Sequence, residues 1–484
     1  KATPPVQKAK SLDFVQKENQ WIDFNRERFI PQMYHNEGPA LATADLNGDG
    51  SSDFFVGGAK LQPGALFISE GNDFSKTSLP FQVDQRNEDT DAVFFDGDND
   101  GDLDLLVTSG GRAFSTYSTE VDDRYYLNNG KGQFSKQTQA FDFETHFSSA
   151  AVAVADFNQD GFQDVFLAER FKLALYGYPA SGRLYLNQKD NTFQQAQQPA
   201  FENIGMITDA VAADLNKDGW QDLILVGEWM PITVLINQKG TWENQTQQYG
   251  LEHTRGLWTS VYVEDVNQDG RLDIVAGNLG ENSFFKPKMR MYLNDFDQNG
   301  DSEQLFCMPI GDQYYPIVDK DELIAQLPGL KKQMVKYEDY SKIPMSKLLP
   351  QEVLNASLML TLDELKSCAF LNTDGGFVTL ALPDEIQYSS VYAITGIQNE
   401  TASGGRLFLG GNQYLVKPQF GRYDASKGWE LEYAIKDQKV QWSAPKSLNV
   451  KGQIRKLEVV NLQRSKNLLI GVNNDTLKAV QLKN

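Results

Sequence analysis

A nine-residue pattern, Asp-x-Asn/Asp-x-Asp-Gly-x-x-Asp, recurs five times in the first 273 residues and limits what this chain can fold into. The copies place Asp45, Asn47, Asp49 and Asp53; Asp96, Asp98, Asp100 and Asp104; Asp156, Asn158, Asp160 and Asp164; Asp214, Asn216, Asp218 and Asp222; and Asp265, Asn267, Asp269 and Asp273 at positions one, three, five and nine. A looser sixth copy sets Asp295, Asp297, Asn299 and Glu303 at the same spacing. Oxygen ligands at alternate positions around a Gly that permits a sharp turn describe a hard-cation site, and calcium fits the flexible geometry better than magnesium. One such loop could be an ordinary acidic turn; six with fixed internal spacing predict five to six bound Ca2+. A main-chain carbonyl at position seven is expected to complete each shell, which fits the variety found there: Ser51, Asp102, Phe162, Trp220, Arg271 and Asp301. The sixth loop, with Asn299 in place of an Asp and half a repeat out of phase, is the first expected to be empty.

The flanks of these loops are strand-like. An EF-hand needs a bidentate Glu at position twelve between two helices, whereas the twelfth positions here are Val56, Val107, Leu167, Leu225 and Ala276. Short apolar runs rich in branched residues stand on both sides, such as Val-Ala-Val-Ala before Asp156 and Leu-Ile-Leu-Val after Asp222, and predict strand, loop, strand. Successive first aspartates are 51, 60, 58 and 51 residues apart. That period exceeds one hairpin and suits a four-stranded propeller blade. Runs such as Tyr125 to Asn129, Arg183 to Asn187 and Ile232 to Asn237, each followed by a polar turn and a shorter strand, supply the second half of the unit. The fold class expected is all-β: a single β-propeller over 11–484 with a small helical insertion. Counting first strands near residues 41, 91, 150, 209, 259, 291, 390 and 456 gives eight blades, or seven if the hairpin near 291 completes the fifth.

The repeat closely resembles the FG-GAP (VCBS) repeats of integrin-α-like propellers. Phrases such as Glu37-Gly-Pro39, Gly227-Glu-Trp-Met-Pro231, Ala276-Gly-Asn-Leu-Gly280 and Gly421-Arg-Tyr-Asp-Ala425 resemble the cartilage acidic protein and bacterial ASPIC/UnbV family from about Ser11 to the end. The resemblance implies a module at the bacterial cell surface, beside an outer-membrane transporter of the TonB-dependent SusC/SusD kind, with the metal loops on the face away from the ligand face. The last third departs from the pattern. Gly396 to Ser403 and Asn461 to Arg464 stand where loops belong but lack the carboxylate spacing, so those blades are expected to form without metal.

Charge agrees with metal loading. The formal charge is −20, and nineteen carboxylates occupy positions one, three, five and nine of the six loops, so six Ca2+ would leave about −8, an ordinary value for solubility. No Lys/Arg stripe points to nucleic acid, and no apolar run is long enough to span a membrane. Residues 1–10 read as a linker or tether. Asp319 to Lys366 turns helical, with Leu323, Leu327 and Leu330 at helix spacing and a second helix expected from Gln351 to Leu358; it is either a structural cover or a partner-binding platform. Cys307 and Cys368 either pair or remain buried thiols. His35, His146 and His253 stand alone, and no nucleophile elbow or metalloprotease motif appears, so the expectation is a non-catalytic protein. Trp229, Trp258, Phe284 and Phe285 could stack on a sugar, anchor a protein or fill the core. Two function classes remain: a calcium-stabilised binding or scaffolding module with a protein partner at the surface, or a glycan-binding protein or polysaccharide-degrading enzyme (lyase or glycosidase). Finally, the C-terminal repeat supplies only three strands, and the segment beginning at Ser11 is expected to add the fourth.

Overall fold

A computed structural model describes residues 9–482 except 72, 174, 400–402, 438, 463 and 464. Most of the proposed N-terminal tether, and parts of the two degenerate loop segments 396–403 and 461–464, lie outside the described residues.

The described chain forms eight antiparallel sheets. The first consists of Leu41–Ala44, Asp53–Val56, Ala65–Glu70 and Asp73–Thr77, paired in chain order. The second, third and fourth repeat that order, opening with Asp89–Phe95, Ser148–Ala155 and Met206–Ala213. The fifth joins Ser260–Glu264 and Asp273–Gly277 to Cys368–Thr373 and Gly376–Ala381; the sixth opens with Val391–Gln398. In the seventh, Gln453–Leu462, Ser465–Asn473 and Thr476–Gln481 are completed by Lys10–Val15, which pairs Lys10 with Ala479 and Val15 with Thr476. The first strands of these seven sheets touch in sequence, and Gln453–Leu462 returns to Leu41–Ala44 to close the ring.

The core follows from this stacking. Each sheet is covered on both faces, so its second strand reads as a nearly unbroken apolar run. In Asp222–Met230 all nine residues are buried. Leu223 and Leu225 pack with Ile207 and Phe166 towards the third sheet, while Ile224 and Val226 meet Val261 and Ile274 of the fifth. An apolar cluster fills each of the seven junctions, ending with Phe14, Val460 and Leu469 against Leu41 and Phe54 at the closure.

Beside the axis, polar staples join the inner strands. A one-residue bulge interrupts the pairing at Asp89/Asp91 and at Ile207/Asp209, and a bulge re-aims the side chains around it. Thr90 Oγ1 donates to Ser149 O of the next sheet (2.8 Å), while Asp91 Oδ2 accepts Val152 N (3.2 Å). Thr208 and Asp209 repeat the arrangement on Trp258 O (2.9 Å) and Val261 N (2.8 Å).

The eighth sheet is an insertion between the second and third strands of the fifth, ordered Gln313–Pro316, Glu303–Ile310, Arg290–Asn294, Leu358–Thr361. The strand near residue 291, read from sequence as an inner strand, therefore lies inside this inserted sheet; the fifth sheet is completed by Cys368–Ala381 strands instead. One face of the insertion, with Met291, Leu293 and Phe306, packs on Tyr34, Tyr176, Trp229 and Leu279. Helices cover the other: Lys320–Gln326, whose N-cap Asp319 accepts Asp321 N, then Tyr337–Tyr340, Met345–Leu348 and Gln351–Ala356. The last of these ends two residues before the expected Leu358, because Leu358 opens a strand on Leu293. Cys307 and Cys368 are free, buried thiols in separate clusters. Among the described residues no helix is long and apolar enough to cross a membrane.

Candidate metal centres on one face of the ring

Each of the five regular loops joins the first strand of a ring sheet to the second, so all five sit on one face. The insertion leaves the ring from the other end of a second strand, on the opposite face. The turn is organised by its own carboxylates. Asp156 Oδ1 accepts Asp160 N (3.0 Å) and Oδ2 accepts Gly161 N (2.9 Å), while Asn158 Oδ1 also accepts Asp160 N (2.9 Å). Loops four and five repeat these bonds from Asp214 and Asp265 within about 0.1 Å, and Asp45 holds Asp49 N and Gly50 N in loop one. The Gly at position six adopts φ +83° in loop one and +89° in loop three, a left-handed conformation that other residues enter only at a cost.

Position nine is the pivot between loop and sheet. Asp53, Asp104, Asp164, Asp222 and Asp273 each begin the second strand and are buried. One oxygen of each accepts the N–H of loop position two: Leu46, Gly97, Phe157, Leu215 and Val266. The other accepts an N–H of the neighbouring strand, from Ser69, Asn128, Asn187, Asn237 or Asn372. Burial pushes the carboxyls of Asp104, Asp164, Asp222 and Asp273 up to about 6, against the lowering effect of these hydrogen bonds. In Asp53, Asp164 and Asp222 each oxygen retains a second lone pair for a cation, whereas Asp104 Oδ2 also accepts Tyr125 Oη and Asp273 Oδ2 also accepts Asn267 N, leaving the other oxygen of each with one to spare.

The loops are also tied to one another through residues that the repeat pattern did not reveal. Asn187 Nδ2 donates to Gln163 O in its own loop (3.1 Å) and to Gly97 O in the preceding loop (2.7 Å). Asn128 spans Leu103 O and Leu46 O in the same way, and Asn237 spans Gln221 O and Phe157 O. A second chain runs forward from position four: Asn99 Nδ2 reaches Gly161 O (2.8 Å) and Gln159 Nε2 reaches Gly219 O (2.7 Å).

Carboxylate oxygens of Asp96, Asp98 and Asp100 lie within 4.8 Å of one another, as do those of Asp295, Asp297 and Glu303. In the other four loops Asn47, Asn158, Asn216 and Asn267 take position three with an amide oxygen. Asp96 Oδ1 is buried without a hydrogen-bond partner, an orphan that a cation would satisfy. The sixth loop connects two strands of the insertion, Arg290–Asn294 and Glu303–Ile310, and its carboxylates gather as closely as those of loop two. Side chains at position seven turn to other work: Arg271 binds Asp374 (2.8 Å) and Phe162 lies under Lys189 (4.9 Å).

The aromatics considered as ligand platforms are elsewhere. Trp229, Trp258 and Phe285 are buried, Trp229 donating to Tyr176 Oη (3.1 Å), and the Phe284 ring packs tilted against Phe420 with centroids 4.6 Å apart. Their apolar bulk serves packing.

Closed stacking of four-stranded sheets around an axis, with an acidic loop in each of the first five, defines a β-propeller. The FG-GAP-like repeat family matches residues 112–167, 173–225 and 214–276, within the second to fifth sheets, and supports reading the ring as an FG-GAP-type propeller. No curated protein matches the chain. Among solved structures it is similar to the Vibrio cholerae biofilm matrix protein Bap1 (10% identity, 99% of this chain and 92% of that one, TM-score 0.38) and to the Dos1 propeller (10%, 95% and 97%, 0.42). It is also similar to AofleA from Arthrobotrys oligospora (8%, 87% and 92%, 0.38).

Proposed function

We propose that this chain is a non-catalytic propeller whose acidic loops bind calcium for stability, leaving its other surfaces to hold a partner. The observation that carries this reading is the loop geometry: five copies of one clasp, with side-chain oxygens at positions one, three, five and nine of a single tight turn. Those residues would hold the ion, with the carbonyl of position seven. A bound Ca2+ would neutralise carboxylates that otherwise repel one another and would fix the turn between the two strands. The ninth-position carboxylates are engaged by at least two backbone amides each, a structural occupation that supports a non-catalytic role.

The setting is proposed with the function. The resemblance to the cartilage acidic protein and ASPIC/UnbV family supports a place at the bacterial cell surface as an accessory subunit of a TonB-dependent, SusC/SusD-like complex, where calcium is plentiful. Isolating the native complex and identifying its subunits tests that part; a chain recovered alone from solubilised outer membranes would refute it.

The metal part is tested by thermal unfolding with and without chelator, alongside elemental analysis. Binding confined to the folded state adds about 2.7 kcal/mol per site at a hundredfold excess over Kd. A drop of well over 10 °C in Tm on chelation, with five to six calcium per chain beforehand, is expected. An unchanged Tm in excess chelator would sink the proposal.

A further inference from the structure

The helices over the inserted sheet leave one corner uncovered. Arg290 and Tyr292 from the central strand, Tyr314 from one edge strand and Met359 from the other floor a cleft of about 470 Å3, walled by Met345 and Leu354 of the helices. Arg290 is the unusual member. Its guanidinium lies 3.8 Å from the Tyr314 ring centroid, and Nη1 donates to Tyr292 Oη (3.2 Å). These two contacts fix the plane of the fork. Among the described residues no carboxylate lies within ion-pair distance of it, and Nε has no acceptor. In a chain of charge −20, a half-buried Arg held rigid without a counter-charge is costly unless something supplies one. A planar, pre-organised guanidinium is suited to bidentate recognition of a carboxylate.

The rim narrows the ligand class. Gln313, Ser346, Gln351 and Asn355 line the same cleft. They satisfy one another only in pairs, Ser346 Oγ to Gln313 Oε1 (3.1 Å) and Gln351 Nε2 to Asn355 Oδ1 (2.9 Å). Each amide therefore keeps a donor or an acceptor for a ligand. Side chains that both give and take hydrogen bonds suit vicinal hydroxyls, and the Met345, Leu354 and Met359 wall suits the C–H face of a sugar ring. We infer that this cleft binds an acidic saccharide, with a uronate carboxylate on Arg290 and ring hydroxyls on the amide rim. The site is independent of the metal loops and of the surface complex proposed above, so either can fail without the other. An acidic peptide lying along the Leu358–Thr361 edge is the competing occupant.

Calorimetric titration of the calcium-loaded chain with trigalacturonate, neutral galactotriose and triglutamate tests this. Trigalacturonate is expected to bind at least tenfold more tightly than galactotriose, and Arg290→Gln to abolish that binding at unchanged Tm. Asp312, exposed at the mouth of the cleft, repels the same ligand, so Asp312→Asn should tighten binding several-fold, a gain that no folding defect can mimic. Failure of trigalacturonate to bind would overturn the inference. So would binding that persists in Arg290→Gln, which would take the carboxylate contact away from this cleft's guanidinium. Arg290-dependent binding of triglutamate alone would likewise refute it, by making the occupant a peptide.

Discussion

Asn187 gives the clearest test at the scale of a single residue, because its one amide group joins two different loops. Asn187→Ala leaves Gly97 O and Gln163 O without that donor, and an unmade buried hydrogen bond costs about 1–3 kcal/mol. Urea unfolding should show that loss, and calcium titration should show weaker binding in loops two and three; wild-type behaviour in both would mean the link is idle. Asp123 supplies a pH test away from the loops. Its oxygens accept Ser109 N (2.7 Å) and Ser149 Oγ (2.8 Å), and burial pushes its carboxyl up to about 7. A carboxyl whose folded value exceeds its unfolded one favours folding when protonated. Its contribution is therefore present at low pH and is lost as pH rises from about 4 to about 7, by roughly 1.4 kcal/mol per unit. Asp123→Asn should flatten stability against pH in that window, and a variant that keeps the wild-type slope would show that the carboxyl is ionised throughout. The sequence made the loop carboxylates plain and hid Asn187. Loop carboxylates lie at fixed offsets, whereas Asn128, Asn187 and Asn237 follow their ninth-position Asp by 24, 23 and 15 residues. The connection between second and third strands varies in length, so their common role emerges only when the strands are paired.

Among elements, Lys10–Val15 is the one whose removal reaches furthest. It covers the edge of Thr476–Gln481 and buries Phe14 beside Leu477; an uncovered edge is a template for aggregation. Deleting residues 1–20 should speed hydrogen exchange across 455–482 while leaving the third and fourth sheets protected, and unchanged exchange there would remove the strand's closing role. That pairing could be foreseen because the C-terminal repeat is visibly one strand short. The split fifth sheet could not. Asp273–Gly277 pairs with Cys368–Thr373 across some ninety residues, and periodicity reports that a segment is a strand without naming its partner. The inserted sheet, with its own acidic hairpin, imitates a ring repeat locally, so the local reading assigned it a place in the ring.

For the whole molecule, charge and architecture act together. Within a net charge of −20, the five regular loops crowd their carboxylates together on one face, those of Asp96, Asp98 and Asp100 within 4.8 Å of one another. In chelator, raising NaCl from about 0.05 to 0.5 M shortens the Debye length and should raise Tm by several degrees; in calcium the same change should do little. A salt response equal in both conditions would mean that the loops do not carry the repulsion. The closed ring has a further consequence, in time rather than in space. Its first strand and its last are roughly 470 residues apart along the chain, and neither has its full set of neighbours until both exist. Loop-closure entropy is met before that contact forms, so the early sheets must wait, with Leu41 and Phe54 half covered, for Val460 and Leu469 to arrive. Folding of the ring is thus completed when the strands of 453–481 reach Lys10–Val15 and Leu41–Ala44, and a chain cut ahead of Gln453 leaves a ring that cannot shut.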